Sequence, residues 1–258
     1  MSYHRSHHRV HRRHLVDYFL PLFLFIAFAL VIILARQLYV DMFVKHEPLD
    51  AYLFIPQGQV QILPAGSFTW DFAVNETRVV AGDEFTVGAG GRGTVRFFQR
   101  LWMRMNGDSG VLLSKIVSGG GGDQFEIGLK SGQAWFNTEA YRETSVEVSV
   151  VTAHLRINSD GGVFEVENSA ADSSGGAEAV RVLRGKVEVT VLVQDSDTLR
   201  EVETLEVGEG QEFSMTASVY SAYQKFQSPE VVGPVNKNFV EGEWYLWNSA
   251  EDEKLEAP

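Results

Sequence analysis

The chain has 258 residues and no cysteine, which excludes disulfides, c-type haem attachment and thiolate metal sites. It carries 22 Lys and Arg and 34 Asp and Glu. Residues 1–36 contain five of the basic residues and one of the acidic residues, so residues 37–258 contain 17 basic and 33 acidic residues. A region this acidic repels nucleic acid, and its length suffices for one large domain or two small ones.

Residues 1–16 form a basic tail with four arginines and a series of histidines. The histidines follow i, i+3, i+4, i+7, i+10 spacing and would share one face of a helix: His4, His7, His8, His11 and His14. Such clusters can bind zinc, nickel or copper. A tail this short has no core to fix ligand geometry, so the favoured interpretation is a solvated tail that sets membrane orientation. We therefore predict no metal or cofactor site.

An uncharged apolar run, residues 18–35, follows between Asp17 and Arg36. As a helix it would span about 27 Å, close to the hydrocarbon thickness of a bilayer. The alternatives are a buried core helix and a cleaved signal peptide, whose apolar run is shorter and whose cleavage site needs a small residue where Ile33 stands. The sequence predicts a transmembrane signal-anchor helix at residues 17–36. The preceding arginines predict a cytoplasmic N-terminus and a periplasmic or extracellular remainder.

The character of the sequence changes after this helix. Residues 37–54 are predicted to be a juxtamembrane linker, in which the helix extends at most to Lys45 because Pro48 ends it. Over residues 55–215, short apolar-alternating runs are separated by Gly, Asn and Asp, which indicates strands. With no convincing helical periodicity past Lys45, the exterior domain is predicted to be nearly all β. The predicted strands are residues 60–63, 68–74, 84–87, 94–98, 112–117, 124–129, 134–137, 146–151, 154–157, 163–167, 180–183, 186–193, 202–207 and 212–215.

A weak internal repeat runs through the predicted strands. GDEFTVG at residues 82–88 recurs as GDQFEIG at residues 122–128. A Gly-x-apolar-x-apolar pattern begins at Gly58, Gly93, Gly132, Gly162 and Gly185. Each unit reads as a turn glycine that launches a strand with one buried face. Stacked units of this kind predict either a twisted, solenoid-like β structure or a sandwich, and the uneven intervals leave both open.

The predicted strand at residues 163–167 has one apolar and one charged face. In residues 163–167, Phe164 and Val166 alternate with Glu165 and Glu167. Because successive side chains of a strand point to opposite faces, this alternation predicts a buried apolar face and a solvated charged face.

No catalytic constellation occurs in the sequence, so we predict no catalytic residues and no enzyme. Outside the tail only His46 and His154 remain, and there is no HExxH or GxSxG motif. Ser109 lies in NGDSG, which lacks the first glycine and the strand–helix context of a nucleophile elbow. The glycine-rich stretches at residues 88–93 and 119–122 precede no helix and read as turns rather than phosphate loops.

Residues 216–258 are predicted to be a C-terminal extension with an aromatic segment and an acidic tail. Trp244, Tyr245 and Trp247 are the candidate partner-binding residues, because desolvated aromatic side chains supply much of the energy of protein interfaces. One alternative is that these residues stack on sugar rings. Another is that the segment docks back onto the domain as a last strand, and we favour this docking over an exposed contact.

The segments LKSGQAWF, VSVVTAHLRINSDGGVFEV, VRVLRGKVEV and VGEGQEF, in residues 129–215, resemble the FecR domain, a periplasmic module of bacterial transmembrane signalling regulators. The matching positions are Thr152, Gly161, Phe164, Val166, Val182, Gly185, Val187, Val189, Gly208 and Gln211. With the upstream GDEFTVG and GTVRFF, the resemblance covers residues 55–215 and implies a twisted, solenoid-like β domain. The chain departs from the family at Gly162, where the family has Thr. Its 16-residue tail is also too short for the family's cytoplasmic sigma-factor-binding domain.

Together these features predict a single-pass envelope protein, attached to the cytoplasmic membrane by one helix. Its exterior domain is expected to be a non-catalytic sensor or adaptor that contacts another envelope protein. The alternative function is a cell-surface module that binds glycan or supports the envelope. No nucleic acid partner is expected.

Overall fold

The computed structural model describes residues 14–39, 51–98, 100–119, 122–139, 145–169, 177–195 and 198–256. Contacts divide the chain into two compact units, Met1–Pro48 and Leu49–Pro258. Residues 1–13 of the predicted tail and residues 40–50 of the predicted linker lie outside the described residues.

Helix α1 of the first unit, His14–Tyr39, includes all of the predicted residues 17–36. Its large apolar side chains from Leu22 to Leu34 are 51–71% exposed. Where the structure describes the chain, no helix combines the length and the hydropathy that crossing a membrane requires. The prediction of a transmembrane helix is therefore not confirmed.

The second unit begins with a strand at Ala51, inside the predicted linker, and its described part contains sixteen strands. The strands are β1 (Ala51–Gln57), β2 (Val60–Leu63), β3 (Asp71–Phe72), β4 (Thr77–Val79), β5 (Glu84–Val87), β6 (Arg92–Phe97), β7 (Leu101–Met105), β8 (Gly110–Gly119), β9 (Gly122–Asn137), β10 (Val146–Val151), β11 (Leu155–Ser159), β12 (Gly162–Asn168), β13 (Glu178–Asp195), β14 (Thr198–Gly208), β15 (Gln211–Met215) and β16 (Val232–Pro234).

These strands form two sheets that share β9 and β13. The first sheet has the order β4-β1-β6-β7-β9-β12-β13-β15-β16. The second has the order β3-β2-β5-β8-β9-β10-β11-β13-β14. Strands β9 and β10 pair in parallel and the other described pairs are antiparallel. Both orders follow the chain almost continuously, so the polypeptide advances from one end of the sheets to the other.

Two glycines bend the shared strands from one sheet into the other. The first half of β9 pairs with β10 in the second sheet, and its residues from Gly132 onward pair with β12 in the first. In β13 the change falls at Gly185. These glycines have φ values of +83° and +81°, and a Cβ at Gly132 would lie 2.5 Å from the Ser109 Cα. Glycine has no Cβ and therefore adopts this left-handed backbone conformation without strain. The two glycines therefore bend long strands, whereas the sequence predicted that they launch short ones.

The apolar core lies between the two sheets. Phe97 of the first sheet contacts Phe125 of the second, with ring centroids 5.0 Å apart. Phe136 and Phe164, on neighbouring strands of the first sheet, stack at 4.9 Å. Of the two open alternatives, the structure has the packed sheets of a sandwich, combined with the stepwise strand order of a solenoid.

The prediction of a nearly all-β domain is wrong for the C-terminal extension. This region contains α2 (Ala217–Gln224), α3 (Lys237–Val240) and α4 (Glu243–Glu256), and the aromatic segment belongs to α4 rather than to a last strand. The buried positions of α4 are Trp244, Asn248 and Asp252, four residues apart. Because two of these three residues are polar, a search for periodic apolar residues does not detect the helix.

The packing of β12 predicts a large cost for truncation at Phe164, which is 1% exposed. Phe164→Ala should lower the free energy of unfolding by about 3–5 kcal/mol, because it removes a stacked ring and leaves a cavity. Urea denaturation measures the change. Glu188→Ala, at an exposed position of β13, is the matched control and should stay within about 0.5 kcal/mol. Equal, small effects from both would show that β12 is not packed in this way.

Candidate functional site

A row of paired residues crosses the first sheet on the face opposite to the shared core. The register places Arg104 beside Trp135, Trp135 beside Glu165, Glu165 beside Arg181 and Arg181 beside Glu212. Directly paired residues point to the same face of a sheet. Arg104, Trp135 and Glu165 are at most 2% exposed. The row is therefore a buried band of charged and indole side chains rather than a solvated surface.

Helix α4 covers the Arg104 end of this row. Asp252 Oδ1 accepts a hydrogen bond from Arg104 Nη1 at 2.6 Å, and Asp252 Oδ2 accepts one from Trp135 Nε1 at 3.0 Å. The Arg104 and Asp252 side chains are only 3% and 4% exposed. Within α4, Asn248 donates to the Trp244 carbonyl at 2.8 Å. Both carboxylate oxygens of Asp252 are thus engaged by the sheet, as a buried ion pair requires.

Helix α3 covers the Arg181 end. Arg181 Nη1 donates to Glu165 and to Glu167, each at 2.8 Å, and its Nε donates to Glu212 at 3.1 Å. The ring of Phe239, from α3, lies 4.5 Å from the guanidinium carbon. One cation here faces three carboxylates, so the cluster has an excess of acid.

Glu165 is fully buried in this cluster, at 0% exposure. Burial raises the pKa of Glu165 to about 8, against the opposing attraction of Arg181. Its Oε1 has no hydrogen-bond partner among the described residues. The prediction that Glu165 lies on a solvated face is therefore wrong, because the C-terminal helices cover the face that the strand pattern left to solvent.

The three predicted partner-binding residues lie together on α4. Trp244 is 8% exposed and stacks on Trp247 at 5.5 Å, and Trp247 lies 4.5 Å from the Arg92 guanidinium. Tyr245 contacts Trp135 edge-on at 6.0 Å. The rings therefore make contacts within the domain, and Tyr245 and Trp247 keep part of their surface exposed. Their role in binding a partner stays a prediction.

The apolar sequence pattern gives no indication of the residues that hold this helix in place. Asn248 and Asp252 fall in the predicted C-terminal extension without a role of their own, and no role was predicted for Arg104. The available signal was the spacing of Trp244, Asn248 and Asp252, which places one aromatic and two hydrogen-bonding side chains on a single helix face.

A cavity of about 300 Å³ lies beside α4. It is lined by Trp135, Val163, Leu183, Arg184, Tyr245, Ser249, Asp252 and Glu253. An aromatic ring beside an exposed carboxylate and a hydroxyl suits a small polar ligand such as a sugar.

A second polar cluster joins β10, β11 and β13. Glu178, which is 3% exposed, accepts a hydrogen bond from the Thr152 hydroxyl and pairs with His154 Nδ1 at 2.7 Å. The Thr152 hydroxyl also accepts from the Leu155 backbone N–H at 3.0 Å. These contacts fix the turn between β10 and β11. Since the hydroxyl is turned to Glu178 and Leu155 rather than to His154, the cluster is not arranged as a nucleophile and base.

No group of three His, Asp or Glu side chains in the described ranges is arranged to hold a metal ion. Four of the five tail histidines, His4, His7, His8 and His11, lie outside those ranges.

Comparison with known protein families agrees with the resemblance seen in the sequence. Residues 83–188 match the FecR protein family, so the chain contains a FecR domain. Two crystal structures of a candidate anti-sigma factor from Parabacteroides distasonis are similar over part of their length, with TM-scores of 0.43 and 0.42 and identities of 14% and 15%. Each match covers 61% of this chain and 62% of that chain, so the chain spans less than two thirds of those proteins. No curated protein matches the chain.

The buried ion pair predicts a strong effect at Asp252. Asp252→Ala should lower the free energy of unfolding by about 3–5 kcal/mol, because it leaves the Arg104 charge buried without its partner. Replacing both residues, as Arg104→Met with Asp252→Leu, should cost clearly less than the single change. Lys254→Ala, on the exposed side of α4, is the control. Denaturation midpoints of the four proteins give the comparison, and a double variant no more stable than Asp252→Ala would contradict a coupled pair.

The buried carboxyl of Glu165 predicts a pH dependence. Its pKa is about 8 in the folded protein against 4.5 as the ordinary value, so the folded state keeps a proton that the unfolded state has released. The stability from this group is complete below the ordinary pKa and is lost as the pH rises through the folded pKa. Glu165→Gln cannot titrate, so its unfolding free energy should fall less than that of the wild type between about pH 5 and about pH 9. Glu188→Gln should follow the wild-type curve, and parallel curves for all three proteins would refute the assignment.

Proposed function

We propose that this FecR-domain chain is a single-pass protein of the bacterial cytoplasmic membrane, with its N-terminus in the cytoplasm and its β domain outside. There it acts as a non-catalytic sensor or adaptor that binds another envelope protein. The observation that carries the proposal is the FecR domain at residues 83–188, which follows an uncharged apolar segment.

The surface of α1 supports the membrane anchor. From Leu22 to Leu34 every large apolar side chain is more than half exposed, so this stretch of the helix presents a broad apolar surface to solvent. Such a surface is unfavourable in water and favourable in hydrocarbon. The arginines before the helix, Arg5, Arg9, Arg12 and Arg13, support the orientation with the N-terminus inside.

The hydroxyl groups that could act as nucleophiles support a role without catalysis. Ser109, the best candidate in the sequence, donates to the Gln133 carbonyl and accepts from the Gln133 N–H, both at 3.0 Å. Thr152 is held in a turn by Glu178 and Leu155. Both groups tie strands together, which fits a rigid binding module.

Glycan binding is the second candidate function, and the cavity beside α4 favours it. Tyr245 supplies a partly exposed ring at this cavity, and Glu253 supplies an exposed carboxylate. Aromatic faces beside acceptors for sugar hydroxyls are a common arrangement for carbohydrate recognition.

Because the chain has no cysteine, single introduced cysteines test the membrane topology cleanly. In intact spheroplasts, a membrane-impermeant maleimide should label Glu188→Cys, at an exposed position of the β domain, and should label Ser6→Cys only after lysis. The chain should also stay in the membrane pellet after alkaline carbonate extraction. Labelling of Ser6→Cys in intact spheroplasts, or extraction by carbonate, would contradict the proposed anchor and its orientation.

A photo-crosslinking experiment separates the adaptor from the glycan-binding module. Leu246 lies on α4 and is 56% exposed. A photoreactive residue at this position should give a discrete adduct with another protein in native membranes, and the same group at Glu188 should not. Under the glycan alternative no protein adduct forms, and Ser249→Trp, which fills the cavity, abolishes polysaccharide binding. Identical adducts from both positions would count against a specific partner at α4.

A further inference from the structure

We propose that an aromatic stripe at the first edge of the second sheet, formed by Phe68, Trp70, Phe72 and Val74, inserts into the interfacial layer of a phospholipid bilayer. The inference rests on the proposed membrane anchoring, since the anchor brings the domain to a lipid surface. It adds a second, peripheral contact between the β domain and the membrane.

The stripe consists of alternate residues whose side chains are turned to solvent. Phe68, Trp70, Phe72 and Val74 are 99%, 41%, 66% and 71% exposed. The sequence predicted one strand over residues 68–74 with a buried face, but the structure has only the short strand β3 there. Ala73 packs against the core, whereas Thr69 and Asp71 are exposed like the aromatic residues beside them, so most of the segment lies at the surface. An ordered cluster of exposed large apolar side chains marks an interaction surface.

The backbone under the stripe is fixed by specific hydrogen bonds. The Asp83 carboxylate, 4% exposed, accepts from the backbone N–H groups of Ala65 and Val80, each at 2.8 Å. The Ala73 N–H donates to the Val60 carbonyl at 2.9 Å, and the Thr77 hydroxyl donates to the Val74 carbonyl at 2.6 Å. A buried carboxylate therefore clamps both sides of the segment, and the rings are presented on a defined backbone.

The stripe lies close to the point where the chain enters the domain. The Ile55 N–H donates to the Asn75 side chain at 2.9 Å, next to Val74. Ile55 is four residues along β1 from Ala51, or about 13 Å at 3.3 Å per residue. The chain between Arg36 and Ala51 reaches at most about 54 Å. A short tether holds the stripe at a high local concentration near any membrane that contains α1, so even weak insertion would be populated.

The side chains of this segment suit a neutral lipid interface better than an anionic one. Phe and Trp partition into the boundary between headgroups and acyl chains. No Lys or Arg occurs from residue 51 to residue 77, so the segment has no cation for acidic headgroups. Asp71 is exposed and lies on the opposite side of β3 from Phe72, so it can stay in water when the rings insert. Insertion driven by apolar surface should therefore be insensitive to salt.

A site-specific fluorophore tests the proposal in the full chain. Phe72→Cys is labelled with an environment-sensitive dye, and the protein is reconstituted into phosphatidylcholine vesicles that carry nitroxide lipids. Phe226→Cys is the matched control, because Phe226 is 80% exposed and lies near Arg200 of β14, at the opposite edge of the second sheet. We expect blue-shifted emission and strong quenching at position 72 and neither at position 226. Adding Phe68→Ser and Trp70→Ser should abolish most of the quenching without changing the circular dichroism spectrum.

Each other result overturns the proposal. Equal quenching at both positions shows non-specific adsorption, and no quenching at either shows that the stripe stays in water. A blue shift at position 72 without quenching shows that a protein, such as a second copy of this chain, covers the stripe. Quenching that disappears in high salt contradicts apolar insertion. Carbonate extraction of the same vesicles tests the anchor separately. A chain that resists extraction but shows no quenching has its anchor and lacks the lipid contact.

Discussion

Two long strands that belong to both sheets determine the architecture of the β domain. Strands β9 and β13 bend at Gly132 and Gly185, where φ is positive and the nearest neighbouring backbone atom lies 2.5 Å and 3.2 Å, respectively, from the position of a Cβ. Because each strand pairs in the second sheet on one side of its glycine and in the first sheet on the other, the two sheets cannot separate or slide independently. Their inner faces are held together, and the core between them is continuous.

The same strand register places charged side chains on the outer face of the first sheet, and the C-terminal helices cover them. The register collects Arg104, Trp135, Glu165 and Arg181 in one row. A charge under a partial cover needs hydrogen-bonding partners, which Asp252 supplies for Arg104 and neighbouring glutamates supply for Arg181. Helix α4 is therefore part of the folded domain.

Much of the β domain follows from local sequence pattern. Apolar alternation located most of the strands from Val60 to Met215, and Phe164 is buried as its alternation requires. The pattern failed where a third layer covers the sheet. The sequence pattern places Glu165 on the surface because alternation separates the two faces of a strand but does not show which of them is covered by another layer. The pattern also failed at Phe68, Trp70 and Phe72, which it predicted to lie in a strand with a buried face but which are exposed. An apolar side chain on an edge segment can be left exposed for a partner outside the chain.

The sequence by itself determined the properties that depend on neighbouring residues: an uncharged apolar segment in a helix, a strand-rich FecR domain, and the absence of disulfides. Tertiary structure alone decided which polar groups meet. Arg104 and Asp252 are far apart in the chain, and only the docking of α4 onto β7 brings them to 2.6 Å. Helical periodicity in α4 is carried by Trp244, Asn248 and Asp252, whose buried face is largely polar. Such a face is stable only against the complementary charges of the sheet, so no count of apolar residues could have revealed it.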